Sequence, residues 1–344
     1  AQFTAAATAG QLSFTAPTKT YGGSALSGEL TYHVYVNTDA PLTGKVNAGS
    51  SAVVPVQARE GMNTFVVTLT NAAGASPKAR LSAYAGYDMP KSVDKLTLSV
   101  DAARRADLTW TAPSATEHGG FLGALTYDLI RITGTDTTQV ANGISDVHFA
   151  EVLPEGPLMG YRYAVRAHNQ SQVTTWTNSN NAVVGSPIEP PFFDEFANAA
   201  DAELYTVIDN NNDQASWAWD KDPYTEQTAY RYHWSDTEKA DDWLLLPPLR
   251  LRAGKVYTFQ FKAKSNGTDY TERFEVKWGQ APNPAGLSTV ILNPTEVSTD
   301  EYQTFTNELR PQADGTYYIG FHALSDAGGY YLHIDSVSIA APVA

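Results

Sequence analysis

The segment Leu12-Ser-Phe-Thr-Ala-Pro17 returns almost unchanged as Leu108-Thr-Trp-Thr-Ala-Pro113, and Leu30-Thr-Tyr32 returns as Leu125-Thr-Tyr127. The offset is 96 residues for the first pair and 95 for the second. An offset near 100 residues is too long for a solenoid repeat and fits a duplicated small domain. The two copies carry no cluster of reactive side chains. We therefore expect them to be a scaffold and expect specific activity in the unduplicated remainder, from about residue 190.

Apolar and polar residues alternate along most of the chain, and helical periodicity is almost absent. In Tyr161-Arg-Tyr-Ala-Val-Arg-Ala167, the odd-numbered side chains face one side of a strand, while Arg162 and Arg166 face the other. The segments Lys255–Lys264 and Tyr317–Phe321 follow the same period. Clusters of Gly, Asn, Pro and Asp separate these short runs. The sequence therefore predicts an all-β fold made of β-sandwich domains.

The composition argues against several classes of protein. The 344 residues include no cysteine, which removes disulfides, thiolate nucleophiles and cysteine-ligated metals. The formal net charge is −14, and residues 190–344 carry −12 of it, from eleven Lys/Arg against twenty-three Asp/Glu. An acidic surface repels phosphate backbones, so we expect no nucleic-acid partner. No apolar run approaches the ~20 residues that would span a bilayer, so we expect no transmembrane segment.

Two proline-bearing stretches, Tyr87–Pro90 and Ser186–Pro191, divide the strand patterns into three parts. The predicted domains are therefore residues 1–89, 90–188 and 189–344. Short linkers that contain proline favour restricted spacing between domains over loose tethering.

The two repeats resemble fibronectin type III domains. In the second copy, Leu108-Thr-Trp110 is similar to that family's second strand with its core tryptophan, and Tyr161 stands at the tyrosine corner of the sixth strand. The first copy departs at two positions, where Phe14 replaces the tryptophan and Asn63 takes the corner position. The resemblance covers roughly residues 1–188. It implies immunoglobulin-like sandwiches that serve as spacers or protein-contact modules.

The remaining segment contains separated motifs in a recognisable order: Phe193–Phe196, Ile208–Trp219, Asp241–Leu251 and Tyr330–Ile339. In that order they resemble the cleaved-adhesin and choice-of-anchor jelly-roll domains of secreted Bacteroidetes proteins, including the adhesin regions of gingipain-type proteases. The resemblance covers about residues 193–340. It implies a jelly-roll β-sandwich with an adhesive or carbohydrate-binding role.

The run Asp209-Asn-Asn-Asn-Asp213 concentrates side-chain oxygens in five residues. Calcium takes six to eight oxygen ligands, so Asp209, Asn211 and Asp213 are candidate ligands. The run lacks the spacing of an EF-hand and its bidentate glutamate. A simple turn explains the same residues, because Asn and Asp tolerate left-handed backbone conformations.

The jelly-roll resemblance implies one structural calcium ion, held by an acidic residue near the first strand and an aspartate in the last strand. The matching positions are Asp194 and Asp335. Strict alternation would place Asp335 and Val337 on one face of the strand and Ile334 on the other, and a carboxylate on a half-buried face needs a cation or N–H donors. We therefore expect a structural Ca²⁺ at Asp194 and Asp335, assisted by the Asp209–Asp213 loop.

Tryptophan is concentrated in the last segment, which holds five of the seven in the chain. Exposed rings beside carboxylates and amides can stack on sugar faces while polar groups bind the hydroxyls. Trp219, Tyr224 and Trp234 flank a long polar stretch and are the candidate ligand-binding residues. The alternative is that these rings pack inside the sandwich.

The chain contains no His-Glu-x-x-His, no Gly-x-Ser-x-Gly and no phosphate-binding glycine loop. We expect a non-catalytic, extracellular or cell-surface adhesin whose jelly roll binds a glycan or a host protein. Two alternatives stay open, an accessory region of a larger secreted protease or glycosidase and a structural stalk without a small ligand. A polysaccharide hydrolase is also compatible, because paired carboxylates can lie far apart in the chain.

Overall fold

The chain is built almost entirely from antiparallel β-strands, which confirms the predicted all-β class. The computed structural model describes residues 1–222 and 225–342. Within those ranges the one α-helix is α1 (Ala199–Ala202). Across the same residues, no helix has the length and apolar character that a bilayer crossing requires.

Two sheets share a core at the start of the chain. Their strands are β1 (Gln2–Phe3), β2 (Ala9–Thr15), β3 (Glu29–Val36), β4 (Leu42–Asn47), β5 (Ser51–Gln57), β6 (Gly61–Asn71), β7 (Gly74–Ala75) and β8 (Ala79–Ala85). One sheet has the order β1-β2-β5, and the other has the order β4-β3-β6-β7 with β8 also paired to β6. Leu12, Val34 and Phe65 are buried in the core of this part.

The next part of the chain repeats this plan. Its strands are β9 (Asp94–Val100), β10 (Arg105–Thr111), β11 (Thr126–Thr133), β12 (Asp136–Ile144), β13 (His148–Val152), β14 (Met159–His168), β15 (Thr177–Asn178) and β16 (Ala182–Val184). The sheets have the orders β13-β10-β9 and β12-β11-β14-β15, and β16 also pairs with β14. Leu108, Trp110 and Tyr163 lie in the core of this part.

Aromatic pairs occupy equivalent positions in the two copies. Phe14 packs edge-on against Tyr32 with 5.7 Å between ring centroids, and Trp110 packs edge-on against Tyr127 at 5.3 Å. The sequence repeat therefore reflects a repeat in core packing, with the smaller ring in the first copy.

Asn63, which stands where the second copy has Tyr161, is buried and forms a local hydrogen-bond hub. Its Nδ2 donates to the carbonyl oxygen of Arg59 at 2.7 Å, and its Oδ1 accepts from the Arg59 backbone N–H at 3.0 Å. The same oxygen accepts from Asn37 Nδ2 at 2.8 Å. An amide thus secures this corner of the first copy by hydrogen bonds.

The last part of the chain is a larger sandwich of two six-stranded sheets. Its strands are β17 (Phe192–Asp194), β18 (Thr206–Asp209), β19 (Trp217–Lys221), β20 (Thr228–Tyr232), β21 (Asp242–Leu245), β22 (Leu249–Leu251), β23 (Tyr257–Lys264), β24 (Glu272–Gly279), β25 (Thr289–Val297), β26 (Gln303–Leu309), β27 (Gly315–Ala323) and β28 (Leu332–Ile339). One sheet has the order β19-β20-β28-β23-β26 with β17 on β28. The other has the order β18-β21-β27-β24-β25 with β22 on β27. Phe261 of the first sheet meets Phe321 of the second at 4.9 Å in their common core.

A register shift in β28 changes which side chains face that core. In the pairing of β23 with β28, Gln260 lies opposite Ser338 and Lys262 lies opposite Asp335. The step is therefore two residues in β23 but three in β28. Ser336 has a left-handed φ of 50° at this point, as expected for the extra residue of a β-bulge.

The bulge overturns the alternation expected for this strand. Ile334 and Val337 both face the core and are fully buried. Asp335 lies opposite Lys262 on the outer face of the sheet. The prediction that Asp335 and Val337 share a face is therefore wrong, because a bulge moves every following side chain to the other face.

The first two parts of the chain meet at Asp88, whose side chain is almost fully buried. Its carboxylate accepts hydrogen bonds from the backbone N–H groups of Met89 at 2.8 Å and His118 at 2.7 Å, and from His118 Nδ1 at 2.9 Å. The ring of His118 stacks on Tyr84 with 5.5 Å between centroids. These contacts tie the end of the first part to a loop of the second.

The second and third parts meet at Glu203, which follows α1. The Glu203 carboxylate accepts from Arg162 Nη2 at 3.0 Å and from the Gly134 backbone N–H at 3.2 Å. The Glu203 carbonyl oxygen accepts from Asn181 Nδ2 at 2.7 Å. Three separate elements of the second part therefore contact one residue of the third.

Candidate ligand-binding surface and metal site

Four aromatic side chains form one surface, here named the aromatic patch: Trp234, Tyr270, Tyr330 and Tyr331. Antiparallel pairing of β20 with β28 sets Tyr232 opposite Leu332. Trp234 follows the end of β20, and the tyrosine doublet immediately precedes β28. The two loop segments therefore lie side by side, at the end of β20 and the start of β28.

The rings of the aromatic patch are in mutual contact. The Trp234 and Tyr330 centroids are 4.5 Å apart with 36° between the ring planes. Tyr330 stacks on Tyr270 at 5.0 Å and 25°. Tyr331 meets Trp234 edge-on at 5.1 Å. Tyr270 is 39% exposed, and the other three rings are half-buried, so the patch offers ring surface to solvent.

Hydrogen bonds hold two members of the patch, Trp234 and Tyr330. The indole N–H of Trp234 donates to Asp236 Oδ1 at 2.9 Å. The backbone N–H of Tyr330 donates to Oε1 of the fully buried Glu272 at 2.7 Å. Burial raises the pKa of the Glu272 carboxyl above its usual range. These bonds hold the rings in place ahead of any ligand.

A polar cleft of about 350 Å³ opens beside Tyr270. Its lining includes the charged residues Asp269, Arg273, Glu296 and Asp326, and also Gly329, which precedes Tyr330 in the chain. Ring faces and hydrogen-bonding groups therefore adjoin each other at this surface.

Next to the patch, the outer face of the same sheet carries a row of polar side chains, here named the polar row: Asp220, Asp222, Arg231, Lys264 and His333. All of them except the half-buried Asp220 are buried. Arg231 pairs with Asp220, and Lys264 Nζ lies 3.6 Å from Asp222 Oδ2. The Arg231 guanidinium also lies 4.2 Å from the centroid of the Tyr331 ring. Tyr331 thus links the polar row to the aromatic patch.

His333 in the polar row is fully buried. Burial and the nearby Lys264 charge lower the pKa of the imidazole to about 3, so the ring is neutral at pH 7. Its Nε2 donates to Asn266 Oδ1, which leaves Nδ1 as an acceptor. Within residues 1–222 and 225–342, neither His333 Nδ1 nor Arg231 Nη1 has a hydrogen-bond partner.

The structure separates the three aromatic residues predicted from sequence. Trp234 belongs to the aromatic patch. Trp219 lies opposite Tyr230 on the core side of the sheet, and its indole N–H donates to the Phe196 carbonyl oxygen at 2.8 Å. Tyr224 lies outside the described residues. Sequence reasoning missed Tyr270 and the tyrosine doublet, although the doublet follows Gly328-Gly329 and directly precedes the last strand.

The structure does not bring Asp194 and Asp335 together. Asp194 faces the core beside Val337, where its carboxylate accepts from the Phe196 N–H at 2.7 Å and the Tyr205 hydroxyl at 2.9 Å. Asp335 lies on the outer face and accepts from the Ser336 N–H at 2.6 Å. Burial raises the pKa of both carboxyl groups. The bulge in β28 is the physical reason for their separation.

The Asp209–Asp213 loop instead meets a residue that the sequence did not single out, Asp242. Carboxylate oxygens of Asp209, Asp213 and Asp242 lie within 4.8 Å of one another, and we name these three residues the acidic triad. Burial, together with the nearby Asp209 and Asp213 carboxylates, raises the pKa of Asp242 to about 7. Asn211 turns away from the triad and donates to the Lys239 carbonyl oxygen at 2.9 Å.

No protein-family model and no curated protein matches the chain. Among solved structures, the K1 cleaved adhesin domain of Lys-gingipain from Porphyromonas gingivalis W83 is similar over 44% of this chain and 98% of its own, at 16% identity and a TM-score of 0.37. The CBM22-1 xylan-binding domain from Paenibacillus barcinonensis is similar over 43% of this chain and 92% of its own, at 9% identity and a TM-score of 0.32. A CBM4 module is similar over 40% of this chain and 86% of its own, at 21% identity and a TM-score of 0.31.

Proposed function

We propose that the chain binds a glycan at the aromatic patch and does not cleave it. The observation that carries the proposal is the contiguous run of rings from Trp234 through Tyr330 to Tyr270, with Tyr270 exposed beside a polar cleft. A sugar has apolar C–H faces and a rim of hydroxyl groups. It therefore suits a site in which ring surface and hydrogen-bonding groups lie side by side.

Order within the site favours binding. The Trp234 indole is held by Asp236 and the Tyr330 backbone by Glu272. A ligand that meets rings already in place loses less conformational freedom than one that must order them. The cleft is lined by both signs of charge, Arg273 together with Asp269 and Glu296.

We further propose that the first two parts of the chain are fibronectin type III-like spacers and that the protein acts outside the cell or at its surface. The equivalent Phe14–Tyr32 and Trp110–Tyr127 pairs support a duplicated module. The hydrogen bonds at Asp88 and Glu203 support a spacer that keeps its length. A spacer of this kind would hold the aromatic patch at a set distance from the first of the two repeats.

A glycan array tests the proposal with the wild type, Tyr270→Ala and a matched control, Trp176→Ala. Trp176 is also partly exposed, at 37%, but it lies in the second part of the chain against Arg166. We expect the wild type to bind a defined group of glycans. Tyr270→Ala should weaken that binding about tenfold, since an aromatic contact contributes about 0.5–1.5 kcal/mol beyond its buried area and 1.4 kcal/mol is tenfold in affinity.

Trp176→Ala should bind like the wild type. Silence of the wild type on neutral and acidic glycans alike would overturn the proposal. If the wild type and Tyr270→Ala bind equally and melt at the same temperature, the glycan site does not lie at the aromatic patch.

A further inference from the structure

The acidic triad is a cluster of like charges that the protein does not neutralise. Asp209 and Asp242 stand directly opposite each other in the pairing of β18 with β21, and like charges at such positions are destabilising. Asp213 approaches from the following loop. Among the described residues, no lysine, arginine or histidine forms an ion pair with any of the three; the ion pairs of this part of the chain involve other carboxylates, such as Asp241 with His322.

Two oxygens of the triad make no hydrogen bond of standard geometry. Asp242 is completely buried, and its Oδ1 is one of them within residues 1–222 and 225–342. The Ser216 hydroxyl interacts with the same carboxylate, but one neutral donor does not offset the charge of three clustered carboxylates. Asp213 Oδ2 is likewise buried and without a partner in those ranges. A buried carboxylate oxygen that lacks a hydrogen bond is costly, and such groups normally meet a cation or a donor.

The other oxygens of the triad are held in place by backbone groups. Asp209 Oδ1 and Oδ2 accept from the N–H groups of Asp213 at 3.3 Å and Gln214 at 3.0 Å. Asp213 Oδ1 accepts from Ala215 N–H at 2.9 Å, and Asp242 Oδ2 accepts from Asp241 N–H at 3.2 Å. These contacts orient three carboxylates from three positions in the chain toward one point.

We propose that Asp209, Asp213 and Asp242 bind one hard divalent cation, of which calcium is the best fit. All the donors are oxygens, which suit Ca²⁺ and Mg²⁺ and disfavour metals that prefer sulfur or nitrogen. Two of the three residues are half-buried, so the ion has access from solvent. Calcium accepts six to eight oxygens in flexible geometry, whereas Mg²⁺ demands a near-ideal octahedron. Ligands that come from a loop and two strand ends suit the flexible geometry of calcium better than the strict octahedron of Mg²⁺.

The cation would join the loop after β18 to the start of β21. Its charge would offset the repulsion between Asp209 and Asp242, so the sandwich should be more stable with the ion than without it. This inference is independent of the proposed glycan site, because it concerns metal content and stability and needs no sugar.

The test is calcium binding by the chelator-treated full chain, measured by equilibrium dialysis together with the melting temperature. With Ca²⁺ at one hundred times its dissociation constant, the melting temperature should rise by about 5–10 °C. Mg²⁺ at the same concentration should raise it less. Asp242→Asn should lose one equivalent of calcium and the rise in melting temperature.

Two further variants keep the result interpretable. Asp213→Asn removes a half-buried ligand from the loop and should also lose the equivalent, even if Asp242→Asn folds poorly. Asp335→Asn changes the aspartate of β28 that the sequence had suggested and should bind calcium like the wild type. The proposal is overturned if the wild type binds no calcium, if Asp242→Asn and Asp213→Asn both keep the full equivalent, or if Asp335→Asn alone loses it.

Discussion

Replacing Asp88 by asparagine should loosen the joint between the first two parts of the chain. Burial by itself would raise the pKa of this carboxyl, yet hydrogen bonds from the side chain and backbone of His118, from Thr116 and from Gly120 outweigh it and lower the pKa from 3.8 to about 2. A pKa shift of this size corresponds to about 2 kcal/mol of preference for the ionised carboxylate in the folded state. An asparagine keeps the shape but loses the charge and one acceptor oxygen.

Hydrogen exchange at single residues measures this effect at pH 7. The backbone N–H groups of His118 and Gly120, which donate to Asp88 at 2.7 and 3.2 Å, should exchange about thirtyfold faster in Asp88→Asn, since 1.36 kcal/mol is tenfold. As a control, Asp107→Asn removes an exposed partner of His148 and should leave both amides unchanged. If the exchange rates of these two amides in Asp88→Asn stay within threefold of the wild-type rates, the reasoning is refuted.

The same shift sets a pH dependence. The pKa of Asp88 is lower in the folded state than in the unfolded chain, so its contribution is fully present above about pH 4 and is lost as the pH falls toward 2. The stability difference between the wild type and Asp88→Asn should therefore shrink in urea titrations between pH 4 and pH 2. A difference that stays constant over this interval would contradict the assignment.

Two substitutions test the packing of the sandwiches. Trp110→Ala should cost about 3–5 kcal/mol of unfolding free energy in urea titrations, because the ring is buried in the second core, whereas Trp176→Ala at an exposed position should cost far less. Gly279→Ala should lower the melting temperature, because an added Cβ would lie 1.8 Å from the Gly286 carbonyl oxygen. Gly156→Ala is the control, because Gly156 has open space around it. Equal melting temperatures for the two variants would contradict the close approach.

The fold class could be predicted from the sequence because a strand with one buried face requires apolar and polar residues to alternate with period two. From Tyr161 to Ala167 the odd-numbered residues are buried in the core, as the sequence predicted, while Arg162 and Arg166 are more exposed and the small Ala164 is buried too. The same rule failed at Asp335, because one extra residue at Ser336 reverses the faces, and nothing in a single sequence marks a serine as a bulge position. Local periodicity predicts a strand well and its exact register poorly.

The candidate sites were only partly predictable for a related reason. Trp234 was identified because an aromatic residue in a charged loop is conspicuous. Tyr270 and Tyr330 lie 60 residues apart, and only the sheet order brings their rings to 5.0 Å. Likewise, Asp242 precedes an apolar run and resembles an ordinary strand start, while its meeting with Asp209 depends on the pairing of β18 with β21.

The extra residue at Ser336 also determines which changes of chain length the last strand can accept. Deleting Ser336 would let β28 alternate without interruption, and Asp335 would keep its outward position while Val337 keeps its inward one. Deleting Ser338 instead would set Ile339 directly after Val337, so that one of these two core residues would have to face outward. The strand should therefore accept the loss of Ser336, whereas the loss of Ser338 would leave one core residue on the wrong face of the sheet.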